Sequence, residues 1–145
     1  MRYIASLMKY VAIVFVFSSL SACSKNKSAE YFITHPEEIQ PTYERCVSLN
    51  NVTEIQKSNE CVAVLEAIPK FKANLSEILN NTGIFGLNLM RAEIKLVNLQ
   101  NAHALALKES APLKKLHDLE AEIQLQKIEI KSRLATIRLL FKLRS

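Results

Sequence analysis

Between residues 84 and 141 apolar side chains return every three or four positions with a single interruption, a periodicity that commits this part of the chain to long helix. Leu87, Met90, Ile94, Val97 and Leu105 make up the first series, widened by Leu89, Leu96, Leu99 and Leu107, and they predict one amphipathic helix over 84–109. Ser110-Ala111-Pro112 reads as a stop and restart, with Ser110 placed to cap and Pro112 to sit in a first turn. Leu116, Leu119, Ile123, Ile130, Leu134, Ile137 and Phe141 then continue to the end, which at 1.5 Å per residue predicts a last helix of about 45 Å. A rod of that length must fold back on its predecessor as an antiparallel hairpin or pair with another chain as a coiled coil. Gln126 and Arg133 fall at would-be core places, which favours the hairpin over a strict zipper and leaves homo-oligomerisation open. Two glycines and no tryptophan, against abundant Leu, Ile, Ala, Lys, Glu and Gln, set the class as all-α.

The amino terminus has a different grammar. Arg2 and Lys9 precede an apolar run through 10–17, and small residues lead to Cys23, in the order of a secretory signal. The run is eight residues, whereas a helix crossing a bilayer takes roughly 20. LSAC at 20–23 resembles the lipobox of bacterial lipoproteins, which implies a signal peptide over 1–22, acylation of the Cys23 thiol and cleavage before it. Cys23 is then the lipid anchor that holds the chain on a membrane of the cell envelope, facing the periplasm. Ser24 follows the anchor; under the enteric sorting rule a residue other than Asp there leans toward the outer membrane. Residues 23–29, small and charged, read as a tether.

Residues 30–82 read as a cystine-linked helical module and 83–145 as the long helical region. Thr34 with Glu37 fits a capping box and Pro36 a first-turn position, with Glu37 and Glu38 toward the positive end of a helix dipole. Pro41 predicts a kink or split before Cys46. Ser58 and Asn59 start a second helix that the sequence predicts to end near Pro69, and a polar connection joins the two. Each side of the connection ends in a cysteine. With Cys23 taken by lipid and the chain exported, Cys46 and Cys61 are most economically a disulfide, the other possibility being two separate buried thiols.

The lipobox and tether, Tyr31-Phe32, the His35-Pro36-Glu37-Glu38 tetrad, Cys46, and Asn59-Glu60-Cys61 with Ala63 and Ala67 together resemble the EexN family of entry-exclusion lipoproteins of conjugative plasmids. The resemblance covers roughly residues 1–68. It implies a protein that blocks redundant conjugative DNA transfer by binding a component of a type IV secretion or mating-pair apparatus, with Tyr31, His35, Pro36, Glu37, Glu38 and Asn59 as the family motif. A different class of reading is an envelope scaffold that assembles a secretion or cell-wall complex through its carboxyl-terminal helices.

Other classes find little support in the residues. Without Arg2 and Lys9 of the leader the formal charge falls from +5 to +3, and no basic stripe interleaved with aromatics marks a nucleic-acid binder. His35, His103 and His117 stand in no metal-binding spacing, two glycines cannot build a phosphate cradle, and Asp118 is the sole aspartate, so neither a metal, a cofactor nor an enzymatic site is expected. On the last helix acids lie early while Lys127, Lys131, Arg133, Arg138, Lys142 and Arg144 lie late. That asymmetry suits a solvated face complementing the helix dipole, or a basic tip for anionic headgroups or an acidic partner.

Overall fold

The computed structural model describes residues 27–49 and 51–145; the expected signal peptide over 1–22, the expected anchor Cys23, and Ser24 lie outside the described residues. The described residues form α1 (Ala29–Thr34), a single 3-10 turn (Pro36–Glu38), α2 (Ile39–Val47), α3 (Val52–Lys57), α4 (Asn59–Asn80), α5 (Thr82–Lys108) and α6 (Leu113–Arg144), with no strand among them. The chain is all-α, a disulfide-stapled set of short helices followed by a long helical hairpin.

The three long helices run up, down and up. His103 on α5 meets Glu120 on α6 near their connection, and Phe85 lies under Arg133 near the far end, so the pair is antiparallel. Asn74 bonds Ser132, and Glu77 pairs with Arg133, so α4 runs parallel to α6. The 32 residues of α6 span about 48 Å at the usual rise. The short helices close one end: Phe32, Ile39, Cys46, Cys61, Ala63, Val64 and Ala67 form one buried cluster, flanked by Tyr31, Ile33, Ile55, Ile68 and Phe71. Cys46 and Cys61 are joined, with Cα atoms 5.6 Å apart.

Several local expectations need correction. Thr34 does not cap the turn after it; its hydroxyl donates back to the carbonyls of Glu30 and Tyr31, both at 3.0 Å, the bond a threonine hydroxyl makes to its own preceding turn. Pro36 does open the 3-10 turn. The break falls at that turn and not at Pro41, which is the third residue of α2, where a missing N–H leaves no helical bond unmade. The helix from Asn59 passes straight through Pro69 to Asn80. Leu65, whose carbonyl loses its donor, and Pro69 are both exposed, while Ala63, Val64 and Ala67 before the proline and Asn74 after it are buried, so packing on both sides outweighs a cost of about 3 kcal/mol. The polar connection between the cysteines contains α3, capped by the Asn51 side chain accepting from Thr53 N–H at 2.9 Å. Ser58 accepts from Cys61 N–H as a cap, as its residue type predicts.

Between α4 and α5, Asn81 caps α5 by accepting from Ile84 N–H. At the stop and restart after α5, Ser110 does not cap α6. It ends α5 in the left-handed conformation, φ 52°, while Ala111 N–H bonds the Ala106 carbonyl at 2.9 Å, a Schellman-type stop that normally takes glycine. Pro112 precedes α6 and does not lie in its first turn. The largest correction concerns α5. Leu87, Met90, Ile94, Val97 and Leu105 are exposed, and the face against α6 consists instead of Phe85, Ala92 and Ala106, fully buried, with Leu89, Leu96, Leu99 and His103 half-buried beside them.

Candidate functional site

The residues that carry the resemblance, Tyr31, His35, Pro36, Glu37, Glu38 and Asn59, lie at the closed end of the fold, and the physical chemistry of each differs. Pro36 is buried, because the 3-10 turn it begins is pressed against α6. Tyr31 stacks on His35 with ring centroids 4.3 Å apart, and His35 Nδ1 lies 2.9 Å from the Tyr31 carbonyl, which locks the imidazole over the last turn of α1. Glu38 turns inward to receive Lys27 Nζ and the Tyr31 hydroxyl, tying the chain just before α1 to the start of α2.

Lys27 also stands 3.7 Å from Glu60 and 5.3 Å from the Tyr31 ring centroid, and Arg45 reaches Glu60 at 3.5 Å. Hydrogen bonds from Lys27 and Tyr31 hold the Glu38 carboxyl below the usual carboxylate range. The same bonds to Glu38 raise the Lys27 ammonium and the Tyr31 phenol above their ordinary values. Glu38 therefore links Lys27 and Tyr31 to the start of α2 in a partly exposed network. Glu37 beside it has its side chain free to face solvent. Asn59 is exposed in the first turn of α4 and borders a separate shallow hollow with Lys27, Ser28 and Gln56, so the structure does not bring it to the His35 side.

On that side, Thr34, His35 and Glu37 form one wall of an open cleft of about 440 Å³ whose other wall is α6, with Lys131, Ala135, Arg138, Leu139 and Lys142. Positions 131, 138 and 142 recur at seven and four residues and so stand on one face of the helix. The late basic residues of α6 thus meet the tetrad across the cleft. Sequence reasoning noted the basic run and the tetrad separately; only the packing of α1 and the 3-10 turn on α6 joins them. Three cations against one exposed carboxylate give a surface that suits anionic or polar protein groups.

A second polar structure lies where the three long helices meet, and sequence reasoning missed most of it. Asn74 and Ser132 are fully buried and bonded to each other at 2.7 Å, with Thr136 buried one turn on. Arg133, with 12% of its side chain exposed, lies 5.1 Å from the Phe85 centroid, bonds Glu77 at 3.0 Å and Glu129 at 2.6 Å, and is backed by Lys70 on Glu129 and by Asn88 on Glu77. Burial would push Glu129 up, but the bonds from Lys70 and Arg133 hold it below its ordinary value. The one legible signal was Arg133 at a core place of the apolar repeat.

Among the described residues no group of three His, Cys, Asp or Glu side chains is arranged to hold a metal ion, and no helix is long and apolar enough to cross a membrane. Comparison with family models, with curated proteins and with solved structures finds no match to this chain.

Proposed function

We propose that the chain is an envelope lipoprotein, anchored through Cys23, that excludes redundant conjugative DNA by binding a component of an incoming type IV secretion apparatus. The observation that carries the reading is the ordered pattern of lipobox, Tyr31, His35-Pro36-Glu37-Glu38, Cys46 and Asn59-Glu60-Cys61. The packing supports it: the tetrad buries Pro36, ties Glu38 to Lys27 and Tyr31, and presents His35 and Glu37 beside Lys131, Arg138 and Lys142 as a surface for recognition. Recipients expressing the chain should acquire the cognate plasmid less often by mating and equally often by transformation. Equal mating frequency with and without the chain contradicts the proposal.

An envelope scaffold acting through the carboxyl-terminal helices is the second reading, and the exposed apolar face of α5 favours it. Truncation after Thr82 does not separate the two, since it strips α6 from beneath Pro36. Charge reversal does: Arg138→Glu with Lys142→Glu should abolish exclusion while leaving the melting temperature within about 2 °C, as surface substitutions do. Exclusion that survives in this variant removes the cleft from the mechanism.

A further inference from the structure

The α5 helix carries two heptad seams. Positions 85, 92, 99 and 106 with 89, 96 and 103 lie against α6, as described above. The second seam runs at the same seven-residue repeat: Leu87, Ile94 and Asn101 in one row, before that row ends on the exposed Lys108 at the last residue of the helix, and Met90, Val97 and Ala104 in the other. In the heptad wheel these rows are a and d, and the seam used by α6 is c and f, almost directly opposite. All six residues of the outer seam are exposed, Ile94 and Val97 each at 53%, with Ile84, Leu105 and Leu107 widening it.

Gly86 borders the seam, and among the described residues nothing beyond its own stretch of helix lies within 4 Å of where its Cβ would stand. Glycine there costs the helix about 0.5–1 kcal/mol against alanine, and no contact among the described residues requires it. A backbone approaching from outside would.

We propose that α5 pairs through this outer seam, in parallel, with α5 of a second copy of the chain. Three features select a second copy. Parallel two-fold pairing sets each row against itself, so Asn101 meets its own amide, the one donor and acceptor pair that satisfies a polar residue at an a position and fixes register. The flanking Arg91 and Glu93 carry opposite signs, so the edge of the seam has no net charge to demand a charged partner. The half-exposed side chains leave on the order of 500 Å² of apolar surface per copy, about 1,000 Å² for the pair, which suits a weak specific dimer. No other helix of the described chain covers the seam.

The test is sedimentation equilibrium of the full chain purified in neutral detergent. A dimer with a dissociation constant in the micromolar range is expected. Ile94→Asp and, separately, Val97→Asp should weaken it by about 100-fold or more, because each puts an unpaired carboxylate in the seam. Their helical circular dichroism should stay unchanged, since both sites are exposed in the single chain. Met90→Lys, at the next d position, gives the same reading should either Asp variant lose helicity. Asn101→Cys should form an interchain disulfide on mild oxidation. A chain that stays monomeric at tens of micromolar, Asp variants that dimerise like the parent, or a dimer whose Asn101→Cys variant does not cross-link each overturns the proposal. So does a monomer whose binding to phosphatidylglycerol vesicles is lost in the Asp variants, which makes the seam a lipid-facing surface.

Discussion

Arg133→Ala is the most informative single perturbation of the fold. The guanidinium over Phe85 contributes about 1–2 kcal/mol in a site this shielded. Bonds of the charge-assisted kind it makes are each worth about 1.5–3 kcal/mol net where well shielded. The carboxylates are not orphaned, however, because Glu77 keeps the Asn88 amide and Glu129 keeps Lys70. The loss should therefore sit at the low end of the range for breaking a buried pair, about 3 kcal/mol. With a urea slope of about 1.5 kcal/mol/M, the midpoint should fall by about 2 M at constant slope. Arg133→Met, which refills the volume over Phe85, should recover part of that loss. The difference should also depend on pH. Glu129 is held below its ordinary value in the folded chain, so its contribution is present at neutral pH and is lost as pH falls through that depressed value. Parent and Arg133→Ala should accordingly converge in stability in acid. A midpoint shift of less than about 0.5 M, equivalent to under 1 kcal/mol, refutes the assignment of Arg133 as the keystone of the three-helix junction.

Other perturbations test separate parts of the account. Replacing both Cys46 and Cys61 by serine opens a crosslink of sequence separation 15 and should cost about 3 kcal/mol in chemical unfolding, the short helices around Phe32 loosening first by hydrogen exchange. Ser110→Gly should raise the melting temperature by about 2 °C, since the residue stands at φ 52° where glycine carries no Cβ penalty. Ser132→Ala leaves the buried Asn74 amide without its partner and should cost about 1–3 kcal/mol, whereas the Asn74→Ala, Ser132→Ala double variant should lose less than the sum of the two singles. The Glu38 carboxyl, followed by NMR, should titrate below the ordinary carboxylate range and move upward in both Lys27→Ala and Tyr31→Phe.

The elements legible in the sequence were those whose cause is local. Ser58 as a cap and the position of the break near Ser110 depend on a few neighbouring residues, and the residues there speak for themselves. The helix through Pro69 was not legible, because the burial that carries it comes from α1, α2 and α6, elements distant in sequence. The face of α5 misled for a related reason. Its larger apolar residues sit on the outer seam, while the seam against α6 is built around small Ala92 and Ala106, which let two backbones approach closely and carry little weight in an apolar pattern. At the site, Tyr31, His35 and Pro36 could be named from their order in the chain. That His35 and Glu37 face Lys131, Arg138 and Lys142 could not, since it follows from a packing contact across about a hundred residues.

The account depends most on anchored display in the recipient envelope. Mating into recipients that express the parent chain, the Cys23→Ser chain or neither, at matched protein levels and with transformation of the same plasmid alongside, measures that dependence. The parent should depress transconjugant yield, and Cys23→Ser should return it to the level of cells without the chain. Exclusion by Cys23→Ser as strong as by the parent, or no exclusion by the parent, contradicts the account.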